Sequence, residues 1–226
     1  MAGRTLEASP RPEPRDPPGM TDHGAQGSIV RSEVDVKRWA VEPPSVDAVR
    51  PRTCPRCGQP GDQPGRRLGL HGHGLRDRQI RGPLQPGGQP ALVVLQIRRY
   101  RCQGCCAVVT VLPREAAPRR HYSAPAIAWA LALFGLMGLP LAEVRARTSP
   151  WSVVGAAAAG AWASLRRWIE ATASRRLFRR LRCPPDTRSR RHRAGQIATT
   201  VAAHAPPTVS DLPIAARAFL GAVHAC

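Results

Sequence analysis

Acidic residues and lysine are both scarce in this chain of 226 residues. Fifteen Asp and Glu stand against thirty-four Lys and Arg, giving a formal net charge of +19 at pH 7, and Lys37 is the only lysine. The excess is concentrated in residues 51–120, with thirteen arginines and three acidic residues, and in residues 164–226, with twelve and three. Two such regions indicate a polyanionic partner, most simply nucleic acid. Arginine suits bidentate contacts to phosphate and guanine, although a GC-rich genome would enrich it everywhere.

The N-terminus lacks the apolar segment of a secretory signal. Residues 1–24 are rich in Pro, Arg and Glu. We therefore expect a cytoplasmic location, where closely spaced cysteines serve as metal ligands rather than as disulfides. Residues 1–48 contain little that could form a core, and we predict that they are disordered.

A long uninterrupted apolar run is also missing. Residues 123–142 are uncharged and numerous enough to cross a bilayer, but Pro125, Gly135, Gly138 and Pro140 interrupt them. Basic residues flank both ends, so no positive-inside asymmetry appears. This pattern favours a core helix and leaves a single-span membrane adaptor as the weaker alternative.

Two short cysteine motifs carry the strongest chemical signal. Cys54 and Cys57 bracket Pro-Arg, and Cys102 and Cys105 bracket Gln-Gly. Each motif offers two thiolates from one tight turn, and two motifs complete the four-cysteine shell of a structural Zn²⁺ site. A closed shell leaves no coordination position for a substrate.

Other residues could enter or complicate this ligand set. Cys106 competes with Cys105, because a spacing of three is also tolerated, and either His71 or His73 could replace a thiolate. Cys183 and Cys226 have no partner at a ligand spacing, and we predict that they are free thiols.

The sequence predicts an α+β fold in which a small β zinc ribbon, residues 49–115, precedes helices. Residues 91–100 and 107–112 are rich in β-branched residues and flank the second cysteine motif, and residues 66–80 would supply the matching first half. The disordered N-terminus, residues 1–48, and a basic, Ala/Pro-rich tail, residues 183–226, with at most weak helices, would flank the folded part.

A three-helix, helix-turn-helix-like domain is predicted over residues 120–182. Its helices would cover residues 123–137, with Ser123 as N-cap, then residues 141–147, and finally a third helix from residue 163 as far as Arg180. The third helix has a buried stripe at helical spacing, formed by Leu165, Trp168, Ile169 and Thr172.

Arginines beside these elements are the candidate nucleic-acid contacts. An ordinary helical core with a solvated basic face is the alternative. The predicted contacts are Arg98, Arg99 and Arg101 on the ribbon and Arg166, Arg167, Arg175 and Arg176 on the third helix.

The motifs together resemble the N-terminal region of bacterial insertion-sequence transposases, and related short uncharacterised bacterial proteins, over roughly residues 50–172. The matching segments are Cys54-Pro-Arg-Cys57-Gly, the run from His71 to Arg76, the run from Arg99 to Cys105, the run from Val109 to Pro113, and Leu165-Arg-Arg-Trp168. The resemblance implies a zinc ribbon followed by a helix-turn-helix that binds DNA.

Two departures limit what the resemblance implies. Sixteen residues separate Arg147 from Ser164, far more than a helix-turn-helix turn needs, and only Glu170, Asp186 and Asp211 follow Arg147 as acidic residues. A transposase-like nuclease would need three carboxylates around Mg²⁺ on a strand-rich domain. The sequence therefore predicts a non-catalytic, Zn²⁺-containing protein that binds double-stranded DNA and no small-molecule substrate. The alternative is a zinc-stabilised module that binds protein or RNA.

Overall fold

Within the described residues, a four-stranded mixed sheet and six α-helices form an α+β fold. The computed structural model describes residues 28–65, 67–152, 162–182 and 188–226. The strands are β1 (Ser28–Arg31), β2 (Leu70–Gly82), β3 (Ala91–Cys102) and β4 (Val108–Leu112). The helices are α1 (Val36–Val41), α2 (Ala124–Gly135), α3 (Leu141–Ala146), α4 (Ala163–Ala173), α5 (Arg190–Ala202) and α6 (Ile214–Ala225).

The sheet has the order β1-β4-β3-β2, with β1 parallel to β4 and the other pairs antiparallel. The strands predicted over residues 91–100 and 107–112 are confirmed as β3 and β4, and β2 is the partner expected from residues 66–80. Leu70 pairs with Cys102, so the start of β2 lies beside the second cysteine motif.

The segment from residue 28 to residue 48 is folded, and the prediction of disorder was wrong for it. Trp39 of α1 is buried, and its indole N–H donates to the carbonyl of Gln96 on β3 at 3.0 Å. The Tyr100 hydroxyl donates to the carbonyl of Val46 at 2.6 Å. These contacts are made across more than fifty residues, which local composition does not reveal. Residues 1–27, also predicted to be disordered, lie outside the described residues.

Helices α2, α5 and α6 pack against one another as the helical core. Ser123 caps α2 as predicted, since its hydroxyl accepts from the Ala126 N–H, and nine of the twelve residues of α2 are buried. The prediction of a weakly structured tail from residue 183 was wrong for residues 188–226, because α5 and α6 supply buried side chains to this core. Residues 183–187 lie outside the described part.

The predicted three-helix, helix-turn-helix-like bundle is not confirmed. Helix α3 has the expected position, and the stripe of α4 is buried as predicted, but α4 packs beside the α2–α5–α6 core. The third helix was also predicted to reach Arg180, whereas α4 ends at Ala173 and Arg175 has a φ of +53°. Residues 153–161, between α3 and α4, are outside the described residues.

The sheet and the helical core meet where β2 ends and α2 begins. The Arg81 N–H donates to the carbonyl of His121 at 2.8 Å, and the Ser123 N–H donates to the carbonyl of Arg81. Gly82 has a φ of +112°, and a Cβ there would lie 2.3 Å from the Cβ of Ala126. This junction therefore requires glycine for both its backbone angle and its close packing.

The helices in the described ranges include none with the length and apolar character needed to cross a membrane. The uncharged stretch that suggested a span is divided between α2 and α3.

Candidate metal centre

The two cysteine motifs fold into turns with the same hydrogen-bond pattern. In the first, the Cys54 N–H donates to the carbonyl of Gln59 at 2.8 Å and the Gly58 N–H to the carbonyl of Cys54 at 2.9 Å. In the second, the N–H groups of Cys102 and Cys106 donate to the carbonyls of Ala107 and Cys102, both at 3.0 Å. Each turn thus presents the two cysteines of its motif.

The four predicted ligands converge on one point. All sulfur atoms of Cys54, Cys57, Cys102 and Cys105 lie within 4.8 Å of one another. The Sγ–Sγ distance is 3.8 Å between Cys54 and Cys105 and 3.6 Å between Cys57 and Cys102. A tetrahedral metal with metal–sulfur bonds of about 2.3 Å places its sulfurs roughly 3.8 Å apart. These four cysteines could therefore hold a metal ion after only small movements.

The four thiols differ in acidity. Burial alone would raise the pKa of Cys54, but hydrogen bonds from the backbone of Cys57 and Arg56 and from neighbouring thiols lower it to about 7. Burial raises the pKa of Cys105 to about 12, and it also raises the pKa of Cys102. Four thiolates at these distances repel one another strongly. A divalent cation among the sulfurs removes that repulsion, so the donor set suits one.

The alternative ligands considered from the sequence lie outside this cluster. The cluster within the described residues contains the four cysteines and no histidine, and His71 Nε2 is 2.7 Å from the carbonyl of Leu68. Cys106 is exposed and has a φ of +57°, matching Gly58 with +73° in the other turn. Cys106 therefore occupies the position of the turn glycine. Cys226 is a free thiol, as predicted, and Cys183 lies outside the described residues.

The predicted arginine contacts fall into two groups. On β3, Arg101 is exposed, but Arg98 and Arg99 are half-buried. Arg98 Nε donates to the carbonyl of Pro44 at 2.8 Å, which gives this side chain a structural contact. On and after α4 the predicted arginines are all exposed: Arg166, Arg167, Arg175 and Arg176.

Two further arginines, Arg119 and Arg120, lie in the connection between β4 and α2 near the last group. Sequence reasoning did not select them, because an Arg-Arg pair after a proline is common in a basic chain. Their position becomes informative only when the loop is placed beside the end of α4, where both line hollows that Arg176 also lines.

Comparison with known proteins gives one family match. Residues 54–136 match a family described as a domain of unknown function (DUF6431), a span that contains the four cysteines, strands β2 to β4 and helix α2. No transposase or zinc-ribbon family is identified. No curated protein and no solved structure matches the chain.

Proposed function

We propose that this chain is a non-catalytic DNA-binding protein whose β region is stabilised by Zn²⁺. The convergence of four cysteine sulfurs from two turns with the same backbone hydrogen bonds carries this proposal. Soft thiolate ligands in a tetrahedral set select Zn²⁺ or iron, and Zn²⁺ is the ion most often bound by two such turns.

The metal would tie two distant parts of the chain together. The first turn lies in a segment, residues 51–65, that contains neither helix nor strand, so regular secondary structure does not connect it to the sheet. The second turn is continuous with β3. When bound, the ion would supply cross-linking rather than reactivity, because four protein sulfurs leave no position for a substrate.

The charge of the chain supports DNA as the partner. The net charge is +19, and Arg101, Arg166, Arg167 and Arg176 point into solvent. Exposed arginines contact phosphate oxygens in a sequence-independent way, and each contact releases counterions from the DNA. Double-stranded DNA is therefore the proposed ligand.

Metal analysis tests the first half of the proposal. We expect about one Zn²⁺ per chain in purified wild-type protein, and loss of the ion in Cys54→Ser and Cys102→Ser variants. Cys106→Ser is the matched control and should retain the metal. Purified wild-type protein with neither zinc nor iron would refute the metal centre.

A binding titration tests the second half. Fluorescence anisotropy with a labelled duplex of random sequence should show binding at about 50 mM salt, and the logarithm of the affinity should fall linearly with the logarithm of the salt concentration. No detectable binding at that salt would leave the chain as a zinc-stabilised module for protein or RNA.

A further inference from the structure

Two adjoining hollows form a basic cleft between the sheet and the end of α4. Their volumes are about 800 Å³ and 470 Å³, and both are lined by Arg119, Arg120 and Arg176. We call this surface the arginine cleft. It brings together the loop before α2 and the turn after α4, which are more than fifty residues apart in the sequence.

The walls of the arginine cleft are strongly positive. Arg31, Arg179 and Arg180 extend the larger hollow, and Arg81 and Arg167 extend the smaller. Glu170 has the one acidic side chain among the described residues that line it. Arg31 Nη2 donates to the main-chain oxygen of Cys226 at 2.7 Å. None of the other cleft arginines forms an ion pair with an acidic side chain of a described residue, so their charge is available to an anion.

A half-buried arginine, Arg78, holds the loop that carries Arg119 and Arg120. Arg78 Nη2 donates to the carbonyl of Ala117 at 3.0 Å and to that of Arg120 at 2.8 Å. Partial burial and the nearby Arg76 lower the pKa of Arg78. The loop is therefore fixed before any ligand arrives, which reduces the entropy lost on binding.

The backbone around the arginine cleft is strained. Among the described residues four non-glycine positions have positive φ, and two of them line the cleft: Arg119 (+59°) and Phe178 (+49°). A third, Arg175 (+53°), directly precedes the lining residue Arg176. Arg175 follows the C-cap of α4, where its N–H and that of Arg176 close the helix onto the carbonyls of Thr172 and Ala171. Glycine is the usual residue at this position. Strained residues of this kind concentrate at functional sites.

We propose that the arginine cleft is the surface that grips the phosphate backbone of DNA. The inference rests on the proposed function and names its site. The cleft offers arginines from four separate segments, a pre-positioned loop and, at Arg119, a strained position occupied by arginine rather than glycine. The predicted contacts Arg167 and Arg176 belong to it, whereas Arg101 on β3 is not among its lining residues.

Two double variants that remove the same charge test the assignment. Arg167→Ala with Arg176→Ala alters the cleft, and Arg38→Ala with Arg76→Ala, which we call the sheet pair, alters exposed arginines of α1 and β2 outside it. We expect the cleft pair to lose roughly ten- to a hundredfold in affinity for a short duplex and its salt slope to fall by about 1.8, since each phosphate contact contributes about 0.9. The sheet pair should lose less than about threefold, because it changes only the long-range field.

A single variant distinguishes a loss of DNA affinity from a loss of stability. Arg119→Gly removes a cleft arginine and its backbone strain together, so we expect a higher midpoint of thermal unfolding and about three- to tenfold weaker binding. Binding as tight as in wild type would overturn the assignment.

The outcomes distinguish the cleft from the function as a whole. Wild-type binding that both double variants weaken equally would overturn the cleft and leave the DNA-binding proposal standing. No binding by the wild-type protein would overturn both.

Discussion

The side chain of Cys106 lies outside the cluster of four cysteines and is not packed in the core. Its thiol is exposed, and its backbone holds the left-handed conformation that Gly58 provides in the other turn. A left-handed conformation costs a non-glycine residue about 1–2 kcal/mol, part of which glycine gives back through its greater freedom in the unfolded chain. The second turn is therefore the more strained of the two.

Cys106→Gly should raise the free energy of unfolding by up to about 1 kcal/mol. Urea denaturation of the metal-loaded protein measures this change, with Cys106→Ala as the control that keeps the strain. A fall in metal content in the glycine variant would contradict the structure, because it would make Cys106 a ligand.

Cys105→Ser should weaken metal binding by more than about a hundredfold, because even loss of a group that only hydrogen-bonds a metal ligand can cost that much. Competition with a chromophoric chelator measures the affinity, and Cys106→Ser is again the matched control. Equal affinity for the two variants would contradict the ligand set.

The metal affinity measured by this competition should depend on pH. Burial raises the pKa of Cys105 to about 12 and also raises that of Cys102, so these thiols hold protons at neutral pH that the metal must displace. Metal affinity should therefore fall as the pH is lowered.

At the scale of elements, α2 and α5 approach each other closely because glycines meet at their crossing. A Cβ on Gly135 would lie 2.1 Å from the backbone nitrogen of Gly195, whereas a Cβ on Gly195 would lie 3.2 Å from its nearest neighbour. The first overlap requires the helices to separate, and the second requires only a small adjustment.

Gly135→Ala should accordingly destabilise the protein by about 1–3 kcal/mol or more, the usual cost of overpacking. Gly195→Ala is the matched control and should change stability by less than about 1 kcal/mol, because alanine also favours the helix. Thermal unfolding of the two variants compares them directly. Equal effects would show that the helices are not held at this distance.

The metal turn and the arginine cleft are neighbours. Pro55, between Cys54 and Arg56, lines the larger hollow with Arg119 and Arg176. Removal of the metal should therefore loosen one wall of the cleft and weaken DNA binding at least about tenfold, because misplaced donors lose their charge-assisted contacts. Anisotropy before and after chelation, with zinc added back as the control, measures this. Unchanged DNA binding by the metal-free protein would show that the metal centre does not support the arginine cleft.

Elements with strong local signals were predictable, and those fixed by distant contacts were not. Strands β3 and β4 and the Ser123 cap carry their own pattern, and fixed spacing identified the four cysteines. The short helix α1 is held in place by Trp39, whose indole N–H donates to the Gln96 carbonyl on β3, a contact that the local sequence does not reveal. Helices α5 and α6 bury mostly small residues such as Ala198 and Ala222, which composition alone does not distinguish from a solvated tail. The arginine cleft forms where the loop before α2 lies beside the turn after α4, and the sequence does not show that these two segments are neighbours.

For the whole molecule, the excess of positive charge opposes folding and would favour the proposed binding of DNA. Thirty-four basic residues repel one another within one chain, and only three ion pairs are formed among the described residues. Salt screens such repulsion, and it would also screen the proposed attraction of the protein for DNA.

Stability and affinity should therefore respond to salt in opposite directions. Between about 50 and 200 mM salt we expect the midpoint of thermal unfolding to rise by a few degrees, about 1 kcal/mol, while DNA affinity falls at least about tenfold. Differential scanning fluorimetry and anisotropy in the same buffers measure the two quantities. A midpoint that falls with salt would show that attractive ion pairs dominate the fold.

The packing of α2 also sets an order of events during synthesis. Its apolar surface is covered by α5 and α6, the second of which ends ninety residues after α2. At 5–20 residues per second, the ribosome needs roughly five to eighteen seconds to make that stretch. For that interval the most apolar of the described helices lacks the cover that α6 provides, so we expect its folding to depend on translation speed and on chaperones that bind exposed apolar segments.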